Sequence, residues 1–168
     1  MLSLINSIES TTIVNSIYMS YSGKYPVREP KKYEGDFSKV FYRSLWERQV
    51  FKWCEENKDV IKWSSEEVVI PYRCKTDGKM HRYFMDLKVK FATGDTYLVE
   101  IKPKKETIAP NMPTRKTMKY VTEVMKYIKN QSKWDAAEEY SIQRGWKFVI
   151  WTEDTLKGLG IRLLTAGK

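Results

Sequence analysis

In the stretch "FMDLKVKFATGDTYLVEIKPKKE", Asp86, Glu100 and Lys102 have the types and spacing for chemistry on a phosphate ester. Glu100 and Lys102 alternate with Val99 and Ile101, so they project from one side of any strand that holds them. Tyr83, Met85, Leu87, Val89 and Phe91 alternate before the "ATG" turn, as Tyr97, Val99 and Ile101 do after it. Matching these apolar faces predicts a hairpin pairing Val89 with Tyr97, Leu87 with Val99 and Met85 with Ile101, because a slip of one residue would turn one set outward. That register sets Asp86 directly opposite Glu100, with Lys102 beside them. Opposed carboxylates, with Cβ atoms about 4.5–5.5 Å apart, destabilise one another, so something must neutralise the pair. Two readings stand open: Lys102 does so as a salt bridge, or a divalent cation does. Two carboxylates at this spacing supply oxygen ligands suited to Mg²⁺, which keeps several waters and binds phosphate oxygens.

Elements must hold these residues in place. "SLWERQVFKWCEEN" contains no Gly or Pro and predicts a helix over 44–57. Glu47 has two roles open to it there: the capping box with Ser44, and a place on the stripe that continues through Val50, Phe51 and Cys54. Strands are expected at 67–74, 82–91 and 96–102, then a loop through Pro110 and Pro113. Helices are expected over 117–130, with Met118, Val121, Met125 and Ile128 on one side, and over 132–144, ended by Gly145. "WKFVIWTE" reads as a buried last strand. This order predicts an α/β fold, a mixed sheet flanked by helices. Residues 1–40 read as an extended N-terminal arm packed through its Tyr residues, and 41–168 as the domain that carries the chemistry.

The chain has 168 residues, 42% of them hydrophobic, with six Trp, eleven Tyr and six Phe. That suits one domain with a real core and excludes a wholly disordered chain. The Trp residues fall within elements and are expected in the core. Thirty Lys and Arg against twenty-one Asp and Glu give +9, pointing to a polyanionic partner, nucleic acid first. Cys54 and Cys74 make no zinc or disulfide pattern, which fits a reducing setting. No run is long and apolar enough for a membrane span, and "MLSLINSIES" lacks the basic start of a signal peptide.

The basic residues with the strongest claim on a DNA backbone are Lys104, Lys105, Arg115, Lys116 and Lys119, in and beside the loop after the third strand. The alternative for them is a solvated basic loop. His81, the only histidine, is either structural or, with Arg82, within reach of a phosphate. Arg43 and Arg73 are further candidates.

Glu47 on a helix, then Asp86, then "EIK" at 100–102, resembles the PD-(D/E)xK nuclease superfamily, whose fold is restriction-endonuclease-like. Met85 stands where that superfamily usually carries Pro, a position that holds no ligand. "GKYPVREPKKYEGD", "YRSLWER", "KWSSEEVVIPY", "HRYFMDLKV", "LVEIKPKKE" and "WDAAEEYSIQRGWKFVIWTED" more closely resemble the head-completion nucleases of T-even-type phages, and the broader shape is similar to TnsA. The resemblance covers about residues 23 to 156. It implies an endodeoxyribonuclease using Mg²⁺, with Mn²⁺ able to substitute, acting on double-stranded DNA. Asp86, Glu100 and the Ile101 carbonyl would ligate the ion, and Glu47 directly or through water. Lys102 would orient or deprotonate the attacking water. The implied setting is phage head completion in the host cytoplasm and with the head, beside head or portal-vertex proteins. Two alternatives are a TnsA-like or resolvase-like recombination nuclease, and a structural DNA-binding head protein with a vestigial site.

Overall fold

The computed structural model describes residues 21–164. Residues 1–20 of the expected arm lie outside them. From Tyr21 the chain forms β1 (Gly23–Lys24), two 3-10 turns, and β2 (Phe41–Tyr42), which pairs antiparallel with β1. Helix α1 (Leu45–Glu56) leads into β3 (Val60–Ser64), β4 (Val69–Arg73), β5 (Met80–Phe84), β6 (Leu87–Phe91) and β7 (Thr96–Ile101). A long helix α2 (Met118–Ile142), β8 (Lys147–Trp151) and a short α3 (Glu153–Gly158) complete it. The main sheet runs β3-β6-β7-β8, antiparallel except for the parallel β7–β8 pair, and β4–β5 is a separate hairpin. This is the expected mixed α/β architecture. Among the described residues, no helix is long and apolar enough to cross a membrane.

β7 has a buried face on either side. Val99 and Ile101 join Val50, Phe51, Cys54, Trp63, Leu87, Val89 and Trp151 in one cluster, which also takes Tyr25, Tyr33 and Val40 from the N-terminal stretch. Leu98 joins Ile70, Tyr72, Tyr83, Met85, Trp134 and Ala137 in the other, between the β4–β5 hairpin and α2. Glu55, only 7% exposed, ties the N-terminal stretch to α1, accepting from the Tyr25 hydroxyl at 2.7 Å and from the backbone N–H of Arg28 and Glu29. The Trp residues are in or against these clusters, as expected.

Several expectations are corrected. The strand foreseen over 82–91 is two strands with a bend at Asp86. Met85 does not pair with Ile101: its N–H donates to the Val68 carbonyl, and its own carbonyl accepts from Glu66 N–H. Tyr83 and Met85 therefore pack into the α2 cluster and Leu87 and Val89 into the α1 cluster, so the five residues do not share a face. The pairing of Leu87 with Val99 and Val89 with Tyr97 is as expected. The helices foreseen over 117–130 and 132–144 are the single α2, since Asn130-Gln131-Ser132 contains no breaker and Ser132 satisfies itself on the Ile128 carbonyl. Gly145, at φ +68°, ends the turn after it as foreseen. β3 was not foreseen: its pattern is irregular, with a register shift between Val60 and Lys62. The stripe at the start of α2 is not buried, Met118, Val121 and Met125 being 79%, 43% and 44% exposed, so the front of α2 stands off the core.

Candidate active site

The site forms where β7 ends, and three elements converge on it. Ser44 is the N-cap of α1, and its Oγ accepts from Glu47 N–H at 3.2 Å. The Glu47 carboxylate folds back to accept from Ser44 Oγ at 2.9 Å and from Arg43 N–H at 2.8 Å. The capping arrangement therefore exists, and it is what holds Glu47 at the positive end of the helix, facing the cleft.

Asp86 occupies the bend between β5 and β6, not a ladder position opposite Glu100. Its Oδ2 accepts from Ile101 N–H at 2.8 Å. Among the described residues, its Oδ1 accepts no hydrogen bond. Glu100, 3% exposed, is held on both oxygens: Oε2 accepts from the Tyr83 hydroxyl at 2.5 Å, and Oε1 lies 3.2 Å from Lys102 Nζ. The salt bridge and the carboxylate cluster thus coexist.

One lysine does not balance this cluster. Burial, then the carboxylates of Glu100 and Glu47, push the Asp86 carboxyl well above its ordinary value, against the opposing help of Ile101 N–H and Lys102. Burial raises Glu47 as well. For Lys102 burial works downward but loses to Glu100 and Asp86, so its ammonium is held charged. Raised carboxyl values in a cleft mark negative charge that a cation would relieve. The cleft measures about 530 Å³, and its lining includes Arg43, Glu47, Asp86, Ile101, Lys102, Lys105, Glu106 and Glu153. Glu100 lies behind this wall. A hollow of similar volume, about 520 Å³, at the other end of β7 is lined by Trp53, Phe91, Tyr97 and Trp151 and has no such cluster.

The donors offered to a metal are hard carboxylate oxygens and the end of β7, a set that fits Mg²⁺ or Mn²⁺ and not a soft ion.

The remaining candidates are scattered. Arg43 lines the cleft but is held by both oxygens of Glu66, at 2.6 and 3.2 Å. Lys105 lines it too, while Lys104 pairs with Asp154 at 2.8 Å. Arg115 and Lys116, before α2, and Lys119, in its first turn, are exposed. Arg73, His81 and Arg82 belong to the β4–β5 hairpin, where Arg73 donates to the Gly78 carbonyl, His81 bonds Asp77 and Arg82 lies over Phe84.

Three residues beside the site escaped sequence reasoning. Tyr83 fixes Glu100, and Lys133 of α2 sits 5.2 Å over the Tyr83 ring, its amine pushed down by burial. Glu66, in the left-handed region at φ +56°, fixes Arg43. Only Tyr83 left a signal, a tyrosine on the apolar stripe three residues before Asp86.

Comparison with known proteins shows the family. Residues 57–153 match the family described as TnsA-like endonuclease, N terminal. The chain is 43% identical over 148 residues to the "Head completion nuclease" of Enterobacteria phage T4, covering 86% of this chain and 99% of that protein. No solved structure matches the chain significantly. Nucleases of the TnsA-like type are typically metal-dependent. The chain is therefore a member of the TnsA-like endonuclease family and a homologue of the phage T4 head completion nuclease.

Proposed function

We propose that this protein is a divalent-metal-dependent endonuclease on double-stranded DNA that acts in phage head completion, working on the DNA end at the packaging vertex. The observation that carries the reading is the convergence of Glu47, Asp86 and Glu100 around one charged lysine, with Asp86 Oδ1, beside the cleft, accepting no hydrogen bond from the described residues.

Asp86, Glu100 and the Ile101 carbonyl would hold Mg²⁺ or Mn²⁺, with Glu47 contributing directly or through water. A bound ion supplies an activated water and stabilisation of charge on the phosphate oxygens. The protein's own residues do the positioning. Tyr83 and Lys102 fix Glu100 from both sides, and the α1 cap fixes Glu47. Without a metal, Glu100 and Asp86 favour the Lys102 ammonium; beside a bound ion Lys102 would orient or deprotonate the attacking water and offset charge building on the phosphate oxygens. Lys105 at the cleft, with Arg115, Lys116 and Lys119 on the flanking segment, would hold the DNA backbone. Lys104, Arg43 and the hairpin arginines contribute to the same positive field at longer range.

The head-completion setting rests on similarity along nearly the whole relative rather than on the catalytic string alone. Its test is a phage carrying Asp86→Asn in this gene. Heads should form and fill with DNA, yet the particles should infect poorly. Normal infectivity would overturn the catalytic role, and absence of heads would assign an earlier, structural one.

A further inference from the structure

The tip of the β4–β5 hairpin gathers a second set of ligating side chains, away from the carboxylate cluster. The register pairs Tyr72 with His81, so Tyr72, Cys74 and His81 lie on the inner face of the hairpin, and the turn "CKTDGK" folds Asp77 over them. Cys74 is 1% exposed, whereas Asp77 and His81 open toward solvent. The Cys74 sulfur, Asp77 carboxylate and His81 ring nitrogen all lie within 4.8 Å of one another. Asp77 Oδ2 sits 2.9 Å from His81 Nε2, and Lys79 N–H holds Oδ1 at 2.9 Å, which fixes the carboxylate's direction. The His81 ring lies 5.7 Å from that of Tyr72. The Thr76 hydroxyl is 3.0 Å from Cys74 Sγ.

We propose that Cys74, Asp77 and His81 form a second metal site at this tip, one that takes Zn²⁺ rather than Mg²⁺. A thiolate and an imidazole select a borderline ion over a hard one. Tetrahedral Zn²⁺ with bonds of about 2.0–2.3 Å needs ligand atoms about 3.3–3.8 Å apart. Side-chain rotation of Asp77 and His81, which must part slightly, supplies that spacing within the 4.8 Å already present. The Thr76 hydroxyl, 3.0 Å from the Cys74 sulfur, is placed to donate to a thiolate there. Cys54, by contrast, is pushed up by full burial and is no ligand. Binding releases the Cys74 thiol proton to solvent, and three protein ligands leave the fourth position for water. The ion would pin the tip of the hairpin that bears Arg73 and Arg82 and whose β5 strand runs on to Asp86. The alternative is a simple Asp77–His81 ion pair over a buried thiol.

The two arrangements differ spectroscopically. Metal-stripped full-length protein titrated with Co²⁺ should develop a thiolate-to-cobalt charge-transfer band, saturating at one equivalent, displaced by Zn²⁺ but not by Mg²⁺. Cys54→Ser and Asp86→Asn should leave the band unchanged, which separates this site from the nuclease centre. Cys74→Ser should abolish it. If that variant fails to fold, His81→Gln should weaken Co²⁺ affinity at least about tenfold. No band in the wild type, a band that survives Cys74→Ser or disappears with Asp86→Asn, or unchanged affinity in His81→Gln would each overturn the proposal.

Discussion

The two faces of β7 are both buried, and they differ in what they bury. Toward α1 the strand presents Val99 and Ile101 to Val50, Phe51 and Trp63, an apolar surface that packing alone explains. Toward α2 it presents Leu98 and then Glu100, a carboxylate at 3% exposure fastened by Tyr83 and Lys102. A buried charge is costly unless paired and hydrogen-bonded, so the second face keeps a group that packing alone would replace. The site lies where the two faces run out, with Glu47 arriving from the α1 side and Asp86 from the bend. What differs between the faces is that one is explained by packing alone and the other carries the proposed chemistry.

Substitutions should separate the faces, and the largest stability effect belongs to the apolar one. Phe51→Ala, at a fully buried ring, should cost about 3–5 kcal/mol in denaturant unfolding. A loss below about 1 kcal/mol would mean that this face is loosely packed. On the other face Glu100→Ala should cost less, about 1–3 kcal/mol, because it leaves the buried Tyr83 hydroxyl without its acceptor. Adding Tyr83→Phe to Glu100→Ala should recover part of that loss; strict additivity of the two changes would show that the hydroxyl bond is not the cause.

Asp86 should behave in the opposite sense. Its folded-state value lies above the ordinary 3.8, so the folded protein holds the proton more tightly than the unfolded chain does. Stability from this source is fully present below the unfolded value and is lost as pH rises through the raised folded one. Metal-free protein should therefore weaken as pH climbs through that window. Asp86→Asn, which keeps an acceptor for Ile101 N–H, should flatten the slope and be neutral or gain a few tenths of a kcal/mol near neutral pH. An unchanged slope in melting temperature against pH would place the buried charge elsewhere.

The smallest effect on folding should come from the basic segment. Changing Lys105, Arg115, Lys116 and Lys119 to Ala should leave unfolding within about 0.5 kcal/mol of wild type. It should also lower the slope of log binding constant against log salt by about one for each phosphate that is no longer neutralised. An unchanged slope would return these residues to the solvent.

Much of the first face was legible in the sequence. Ser44 and Glu47 announce the start of α1, and the alternation through Leu87, Val89, Val99 and Ile101 fixes the β6–β7 register. The bend at Asp86 was not legible, because the apolar alternation continues unbroken from Tyr83 to Phe91. What interrupts it is Met85 bonding to Glu66 and Val68, an interaction that no local pattern encodes. The surroundings of Glu100 divide in the same way: Lys102 is visible two residues away, whereas Lys133, which lies over the Tyr83 ring, arrives from a helix separated by a long loop. Cys74, Asp77 and His81 form no metal pattern in the sequence, and only the hairpin register brings them together.

The central claim is that the Glu47–Asp86–Glu100 cluster hydrolyses DNA with a divalent metal. The most direct measurement is nicking and linearisation of supercoiled plasmid by wild-type protein and by Asp86→Asn, with Mn²⁺ binding followed by calorimetry on both. The wild type should cleave with Mg²⁺ or Mn²⁺ and stop on chelation. Asp86→Asn should remain folded, bind Mn²⁺ weakly and cleave at least about 100-fold more slowly. Cleavage by the wild type in chelator, or wild-type rates from Asp86→Asn, would contradict the account.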